Sequence, residues 1–135
     1  MTLVIDLKSQ IYDSIDSHSE RIISLAQEIH AKPEIGNEEV FASYSLSEYL
    51  REFGFEVTLG VASHDTTFYA VKDSGVEGPT IAFLAEYDAL PGLGHACGHN
   101  IIGTTSVAAG IALSEVLIET GGKVIVLGTP AEEGG

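Results

Sequence analysis

Thiol, imidazole and carboxylate side chains are concentrated in two short loops of this sequence. The first loop, residues 86–100, contains Cys97 and His99, and the second, residues 129–135, contains the adjacent Glu132 and Glu133. Thiolate and imidazole are good ligands for zinc-like ions, and Gly98 between them lets the backbone bend so that both can reach one metal. An isolated Cys-Gly-His triplet is more often a small buried residue followed by a helix-start histidine, so the second loop decides the interpretation.

The adjacent glutamates supply what a metal site needs for hydrolysis. Neighbouring side chains point in different directions, so one carboxylate can coordinate a metal while the other faces the bound water and takes its proton. Taken alone, Glu132 and Glu133 could be two exposed glutamates in a glycine-rich loop. Together, the two loops favour metal-assisted hydrolysis.

Two amphipathic helices are predicted before any strand. Apolar residues at steps of three, four and seven predict one helix over residues 6–30. Pro33 and Gly36 interrupt this pattern, and a second amphipathic segment begins at Asn37 and stops at Gly54. The residues of this second segment that could face a core are Phe41, Tyr44, Tyr49 and Leu50.

The rest of the chain predicts a sheet. Residues 55–59, 66–72 and 80–87 are short runs rich in aromatic and β-branched residues, which is typical of strands. Residues 101–118 predict a buried helix, and residues 124–127 predict a strand buried on both faces. The fold class is therefore α/β, with a mixed β-sheet covered by helices. Ligands of such sheets gather at the carboxyl ends of the strands, which is where both loops lie.

Composition limits the partners. Twenty acidic residues against six basic ones give a formal net charge of -14, which would repel nucleic acid and anionic membrane surfaces. The first six residues carry no basic side chain and no apolar run long enough for a signal peptide or a membrane span, so we expect a cytoplasmic protein. The single cysteine excludes an internal disulfide. Small amides or peptides are the expected partners.

Four segments of the chain form a recognisable set. They are His30-Ala31-Lys32-Pro33-Glu34 with Glu38 or Glu39, Asp88-Ala89-Leu90-Pro91, His95-Ala96-Cys97-Gly98-His99, and Pro130-Ala131-Glu132-Glu133-Gly134-Gly135. In this order they resemble the aminoacylase and glutamate-carboxypeptidase-like metallopeptidases, in particular their amidohydrolase branch. The resemblance implies that Cys97, His99 and Glu133 are metal ligands, that Glu132 is the general base, and that Asp88 orients a ligand.

At two positions this chain differs from the commonest family pattern, and these differences indicate which branch of the family it resembles. Many relatives have Asp-Met-Asp where this chain has Glu86-Tyr87-Asp88, and Asp in place of Asn100. Both variants are similar to the branch that includes the aminobenzoyl-glutamate hydrolase subunits and related dipeptidases. The implied activity is hydrolysis of amide bonds in N-acyl amino acids or dipeptides by two divalent metal ions, zinc or manganese, with cobalt or nickel also compatible.

The resemblance also implies that a complete catalytic site needs more than this chain. Relatives carry further metal ligands downstream and a smaller dimerisation domain, so residues 1–135 are expected to be the N-terminal part of a zinc-peptidase-like α/β/α catalytic domain. The full-length protein would be a homodimer. The alternative function is that of a truncated, catalytically inactive metal-binding fragment.

Other interpretations of the same residues are weaker. Cys97 could be a nucleophile with His99 as its base, but residues two apart rarely place a thiol and an imidazole in contact, and the glutamate pair would stay unexplained. Gly92-Leu93-Gly94 lacks the third glycine or the lysine of a phosphate-binding loop. The remaining histidines, His18, His30, His64 and His95, are predicted to be solvated, helix-capping or supporting residues, and His95 is not assigned to the metal.

Overall fold

The computed structural model of this chain describes residues 4–134, which form helices packed on a four-stranded sheet. Residues 1–3 and Gly135, which the predicted domain includes, lie outside the described residues. The elements in chain order are α1 (Val4–Ser17), α2 (Ser19–Ala31), α3 (Val40–Glu52), β1 (Glu56–Leu59), β2 (Phe68–Asp73), β3 (Thr80–Ala85), α4 (His99–Ser114), α5 (Leu117–Thr120) and β4 (Lys123–Gly128).

The single helix predicted over residues 6–30 is wrong, because the chain breaks at His18 into α1 and α2. His18 has φ -104° and ψ 9°, and the hydroxyl of Ser17 donates to the carbonyl of Ser14 at 2.7 Å. Serine side chains that bond to nearby backbone carbonyls compete with the regular helical pattern. The apolar periodicity continues across the break, so Leu25 and Ile29 of α2 are buried as predicted.

Helix α3 begins later than predicted because a side chain from the preceding loop caps it. The carboxylate of Glu34 accepts hydrogen bonds from the backbone N–H groups of Phe41 and Ala42, both at 2.9 Å. These are two of the first-turn donors that have no partner inside a helix. Tyr49 and Leu50 are buried as expected, whereas Tyr44 lies on the opposite face and is 58% exposed, so its predicted core position is wrong.

The sheet is mixed, as predicted, with strand order β1-β2-β4-β3. Strands β1 and β2 and strands β2 and β4 pair antiparallel, while β3 and β4 pair parallel and are joined through α4. This is the expected βαβ unit. None of the described helices is both long enough and apolar enough to cross a membrane.

Helices cover one face of the sheet. Val124 and Val126 of β4 are fully buried in the core with Val107 and Ile111 of α4. The intervening β4 side chains are only partly buried, and Leu84, which pairs with Leu127 on the other face, is 56% exposed. The prediction that β4 is buried on both faces is therefore wrong for the described residues, because α4 packs on one side only.

Candidate metal centre

The two loops rich in polar side chains leave the sheet at the same edge. Ala85 at the end of β3 pairs with Gly128 at the end of β4, and the backbone N–H of Thr129 donates to the carbonyl of Ala85 at 2.9 Å. Because the two strands are parallel and adjacent, their carboxyl ends coincide. Residues 86–88 and residues 132–133 are thereby brought together.

His99 is the central residue of this cluster. It begins α4 directly after Gly98, whose φ of +77° is a left-handed conformation that glycine adopts without strain. The His99 side chain is only 5% exposed, and its Nδ1 lies 2.9 Å from Oδ1 of Asp88. An ionised carboxylate can only accept, so Nδ1 donates and Nε2 is left available as a metal ligand.

Three carboxylates face Nε2 of His99. The nearest oxygens belong to Glu86 at 3.3 Å, Glu133 at 3.6 Å and Glu132 at 3.7 Å. The ligand atoms of Glu86, His99 and Glu132 all lie within 4.8 Å of one another. One imidazole nitrogen among carboxylate oxygens is a donor set that suits a divalent cation.

The surroundings of His99 change its protonation. Burial lowers the pKa of His99, but the hydrogen bond and negative charge of Asp88, with the charge of Glu86, outweigh burial and raise the pKa above its ordinary value. The carboxylates thus favour the protonated imidazole more than water alone does. A divalent cation bound at Nε2 would compete with that proton.

Asp88 connects the two loops. It is 2% exposed, and while Oδ1 holds His99, Oδ2 accepts a hydrogen bond from the backbone N–H of Glu133 at 3.0 Å. A carboxylate that binds the second nitrogen of a ligating histidine fixes the ring orientation and raises its basicity. These contacts are what the predicted orienting role of Asp88 requires.

Cys97 lies beside the cluster on the exposed side. The neighbouring Glu133 carboxylate is the main cause that raises the pKa of the exposed Cys97 thiol, and slight desolvation and the negative charges of Glu133 and Glu132 add to this. A raised pKa leaves little thiolate at neutral pH, which disfavours the nucleophile interpretation. The predicted ligands His99 and Glu133 are neighbours and Cys97 lies near Glu133, but among the described residues the ligand atoms that converge within 4.8 Å are those of Glu86, His99 and Glu132, without Cys97.

Glu86 is the residue that sequence reasoning left without a role. It follows β3 directly, and Asp88 is two positions further along the chain. Side chains two apart in an extended segment point to the same side, and this spacing from Asp88 is the signal that could have identified Glu86.

The other histidines lie apart from this cluster of carboxylates. His95 is buried and packs against His30 with ring centroids 6.3 Å apart, and burial, together with the charges of His30 and His99, lowers the pKa of His95. His64 is exposed and lies 3.2 Å from the side-chain oxygen of Asn37. His18 packs edge-on against Phe53 at the helix break.

Comparisons with known proteins find the chain similar to part of several hydrolases. No protein-family model matches it. It is 40% identical over 141 residues to the Xaa-Arg dipeptidase of Mus musculus, covering 96% of this chain and 33% of the relative. It is 37% identical over 144 residues to one of the subunits of the p-aminobenzoyl-glutamate hydrolase of Escherichia coli, covering 93% of this chain and 30% of the relative.

The fold of the chain is also similar to part of a solved peptidase structure. The crystal structure of a dinuclear metal-binding peptidase from the M20 family, from Bacillus subtilis, matches with a TM-score of 0.78 and 28% sequence identity, covering 87% of this chain and 36% of that one. The chain therefore spans about a third of the length of the proteins it matches.

Proposed function

We propose that this chain, which is related over nearly its whole length to amidohydrolases and metallopeptidases of the M20 family, forms part of a metal-dependent site that hydrolyses amide bonds. The observation that carries the proposal is the arrangement around His99. Asp88 holds one ring nitrogen, and carboxylates from the loops after β3 and β4 face the other. Because this chain spans a third of its relatives, the activity is proposed for the whole protein to which the site belongs.

The proposed metal ligands are Cys97, His99 and Glu133. Nε2 of His99 lies 3.6 Å from Glu133, and the Glu133 carboxylate is close enough to Cys97 to raise the pKa of its thiol, so the three groups are near one another. The cofactor would be two divalent ions, zinc or manganese, with Glu86 supplying a further carboxylate beside His99. When bound, such ions polarise a carbonyl and lower the pKa of a water molecule.

Glu132 is the proposed general base. Its side chain is 48% exposed while its carboxylate lies 3.7 Å from Nε2 of His99, so it borders the centre and can still reach a bound substrate. It would take a proton from the attacking water and deliver it to the amide nitrogen as the C–N bond breaks. The products are a carboxylic acid and a free amine.

The proposed substrates are N-acyl amino acids or dipeptides. Two relatives support this class, since one is named a dipeptidase and the other a hydrolase of p-aminobenzoyl-glutamate. The net charge of -14 argues against polyanionic substrates.

The test uses the complete polypeptide that contains this sequence. We expect it to hydrolyse a panel of dipeptides and N-acyl amino acids, to lose activity on chelation and to regain it with zinc or manganese. Glu132→Gln should retain metal while turnover falls by about a hundred- to ten-thousand-fold, as for a lost general base. Glu38→Gln, at an exposed position outside the site, is the matched control. Hydrolysis that survives both chelation and Glu132→Gln would contradict the proposal.

The 135-residue chain by itself is expected to behave differently. It supplies few ligands for a two-metal site, so we expect weak metal binding and no appreciable hydrolysis. Calorimetric titration with zinc or manganese, beside the same activity panel, checks this. Robust hydrolysis that Glu132→Gln abolishes would show that the short chain builds a complete site.

A further inference from the structure

Glu39 is a fully buried carboxylate that the proposed chemistry does not use. Its side chain is 0% exposed at the start of α3. One oxygen accepts a hydrogen bond from the backbone N–H of Ala131 at 2.8 Å, and the other accepts one from the hydroxyl of Thr66 at 3.3 Å. Burying an ionisable group is costly, so these partners call for an explanation.

The partner of Glu39 is the residue immediately before the proposed base. Ala131 has φ +56°, in the left-handed region that residues other than glycine seldom adopt. Such a conformation is strained and persists only where surrounding contacts impose it. The hydrogen bond from Ala131 to Glu39 is such a contact, and it acts on the turn that sets the direction of Glu132.

Gly36 makes a second close contact with the turn at Ala131. Gly36 packs so closely against Ala131 that a Cβ built at Gly36 would lie 2.8 Å from the Cβ of Ala131. The segment 34–39 also reaches the other site loop, because the carbonyl of Glu34 accepts a hydrogen bond from the N–H of Ala89 at 2.8 Å. We call Glu34, Gly36 and Glu39 the brace, since these three residues contact the two loops.

We propose that Glu39 is a positioning residue whose carboxylate, through Ala131, fixes the direction of the Glu132 side chain. The brace contributes no ligand to the cluster around His99. It holds the main chain of the loop after β4 in a conformation that this loop would not adopt alone. The catalytic consequence rests on the proposed function, whereas the structural consequence can be measured without it.

The structural test uses the 135-residue chain and amide hydrogen exchange by NMR. Glu39→Met fills a similar volume but removes both acceptors, so the Ala131 amide should exchange at least about tenfold faster, as for the loss of roughly 1.4 kcal/mol of local stabilisation. The amide signals of Glu132 and Glu133 should shift. Glu39→Gln keeps one oxygen for Ala131, while its NH2 faces the Thr66 hydroxyl, which can rotate to accept, so protection should be restored.

Two controls isolate the contact. Glu38→Met changes the exposed neighbour of Glu39, and Thr66→Val removes only the other hydrogen bond, so the Ala131 amide should stay protected in both. A folded Glu39→Met protein with unchanged Ala131 exchange would overturn the proposal. Should that variant fail to fold, the native chain still decides, because an unprotected Ala131 amide there would equally overturn it.

The catalytic test uses the complete polypeptide loaded with zinc or manganese. Glu39→Met should lower kcat by about ten- to a hundredfold, the usual effect of removing an outer partner of a site, with KM and metal content little changed. Glu39→Gln should recover most of kcat. If Glu132→Gln abolishes turnover but Glu39→Met does not lower it, the positioning role alone fails. If Glu132→Gln does not lower turnover, the proposed function fails. The hydrogen-exchange data then still test whether Glu39 holds the main chain at Ala131.

Discussion

Replacing Asp88 by Asn is the most informative single change in this protein. Asp88 accepts two hydrogen bonds, from Nδ1 of His99 at 2.9 Å and from the backbone N–H of Glu133 at 3.0 Å. Asn has the same shape but one oxygen and one NH2 group. One of the two donors must therefore lose its side-chain acceptor, and if that donor is Nδ1 of His99, the backbone carbonyl of Asp88 at 3.0 Å is its remaining acceptor.

The expected size of the effect follows from these contacts. A hydrogen bond to a charged group contributes about 1.5–3 kcal/mol. Loss of an outer partner of a metal-binding histidine typically costs about 10- to 100-fold in metal affinity, which is about 1.4–2.8 kcal/mol. The two ranges overlap, so we expect Asp88→Asn to weaken zinc binding to the complete polypeptide by one to two orders of magnitude.

The same change should alter the titration of His99. Burial lowers the pKa of His99 and Asp88 supplies the largest opposing effect, so Asp88→Asn should lower that pKa. In the native protein the raised pKa stabilises the fold below the ordinary histidine pKa, and this stabilisation is lost as pH rises through the raised value. This pH-dependent part of the free energy of unfolding should shrink in the variant.

Two measurements check the prediction. NMR titration of the metal-free 135-residue chain gives the pKa of the His99 imidazole, and calorimetry on the complete polypeptide gives zinc affinity. Asp65→Asn, at an exposed carboxylate, serves as the control. A folded Asp88→Asn protein with native zinc affinity and a native His99 pKa would refute the reasoning that Asp88 orients His99.

Four further changes test other parts of the site and its surroundings. Cys97→Ser and His99→Ala should each lower the metal content of the complete polypeptide by elemental analysis, and unchanged stoichiometry in both would exclude them as ligands. Glu86→Gln should reduce metal affinity by calorimetry if this carboxylate, 3.3 Å from Nε2 of His99, binds metal, and an unchanged affinity would leave it outside the ligand set. Burial raises the pKa of Glu39. The protonated Glu39 therefore stabilises the fold below the ordinary carboxyl pKa, and this stabilisation is lost as pH rises through the raised pKa. As pH rises through this range, the free energy of unfolding of Glu39→Gln should therefore increase relative to that of the native chain, which urea unfolding at several pH values measures. A difference from the native chain that does not change with pH, as expected for Glu38→Gln, would contradict this prediction.

The fold was largely predictable because its main signals are local. The apolar runs of β3, α4 and β4 are long and bounded by glycine or polar residues, so the βαβ unit follows from the sequence. The break at His18 was not predictable from periodicity, since it depends on hydrogen bonds of Ser14 and Ser17 that leave the apolar pattern intact. The partial exposure of one face of β4 depends on where α4 packs, which the β4 sequence does not encode.

The candidate site was predictable in place but not in detail. Ligands gather at the carboxyl ends of parallel strands, and this rule is enough to predict that the loops after β3 and β4 lie side by side. The rule does not tell which carboxylates approach His99 most closely. Asp88 and Glu39 accept hydrogen bonds from residues 45 and 92 positions away in the sequence. Such contacts between distant parts of the chain are visible only in the folded structure.

The two buried carboxylates together hold the main chain around Glu132, the proposed base. Glu39 accepts the N–H of Ala131 and Asp88 accepts the N–H of Glu133, so the main chain is anchored on each side of Glu132. The Glu132 side chain itself remains 48% exposed. A fixed backbone limits the orientations of its carboxylate, while exposure leaves the carboxylate accessible to water and substrate. The buried carboxylates of Glu39 and Asp88 thus share one physical role. They fix the position of Glu132, which the glycine-rich sequence of its own loop would leave free to adopt several main-chain conformations.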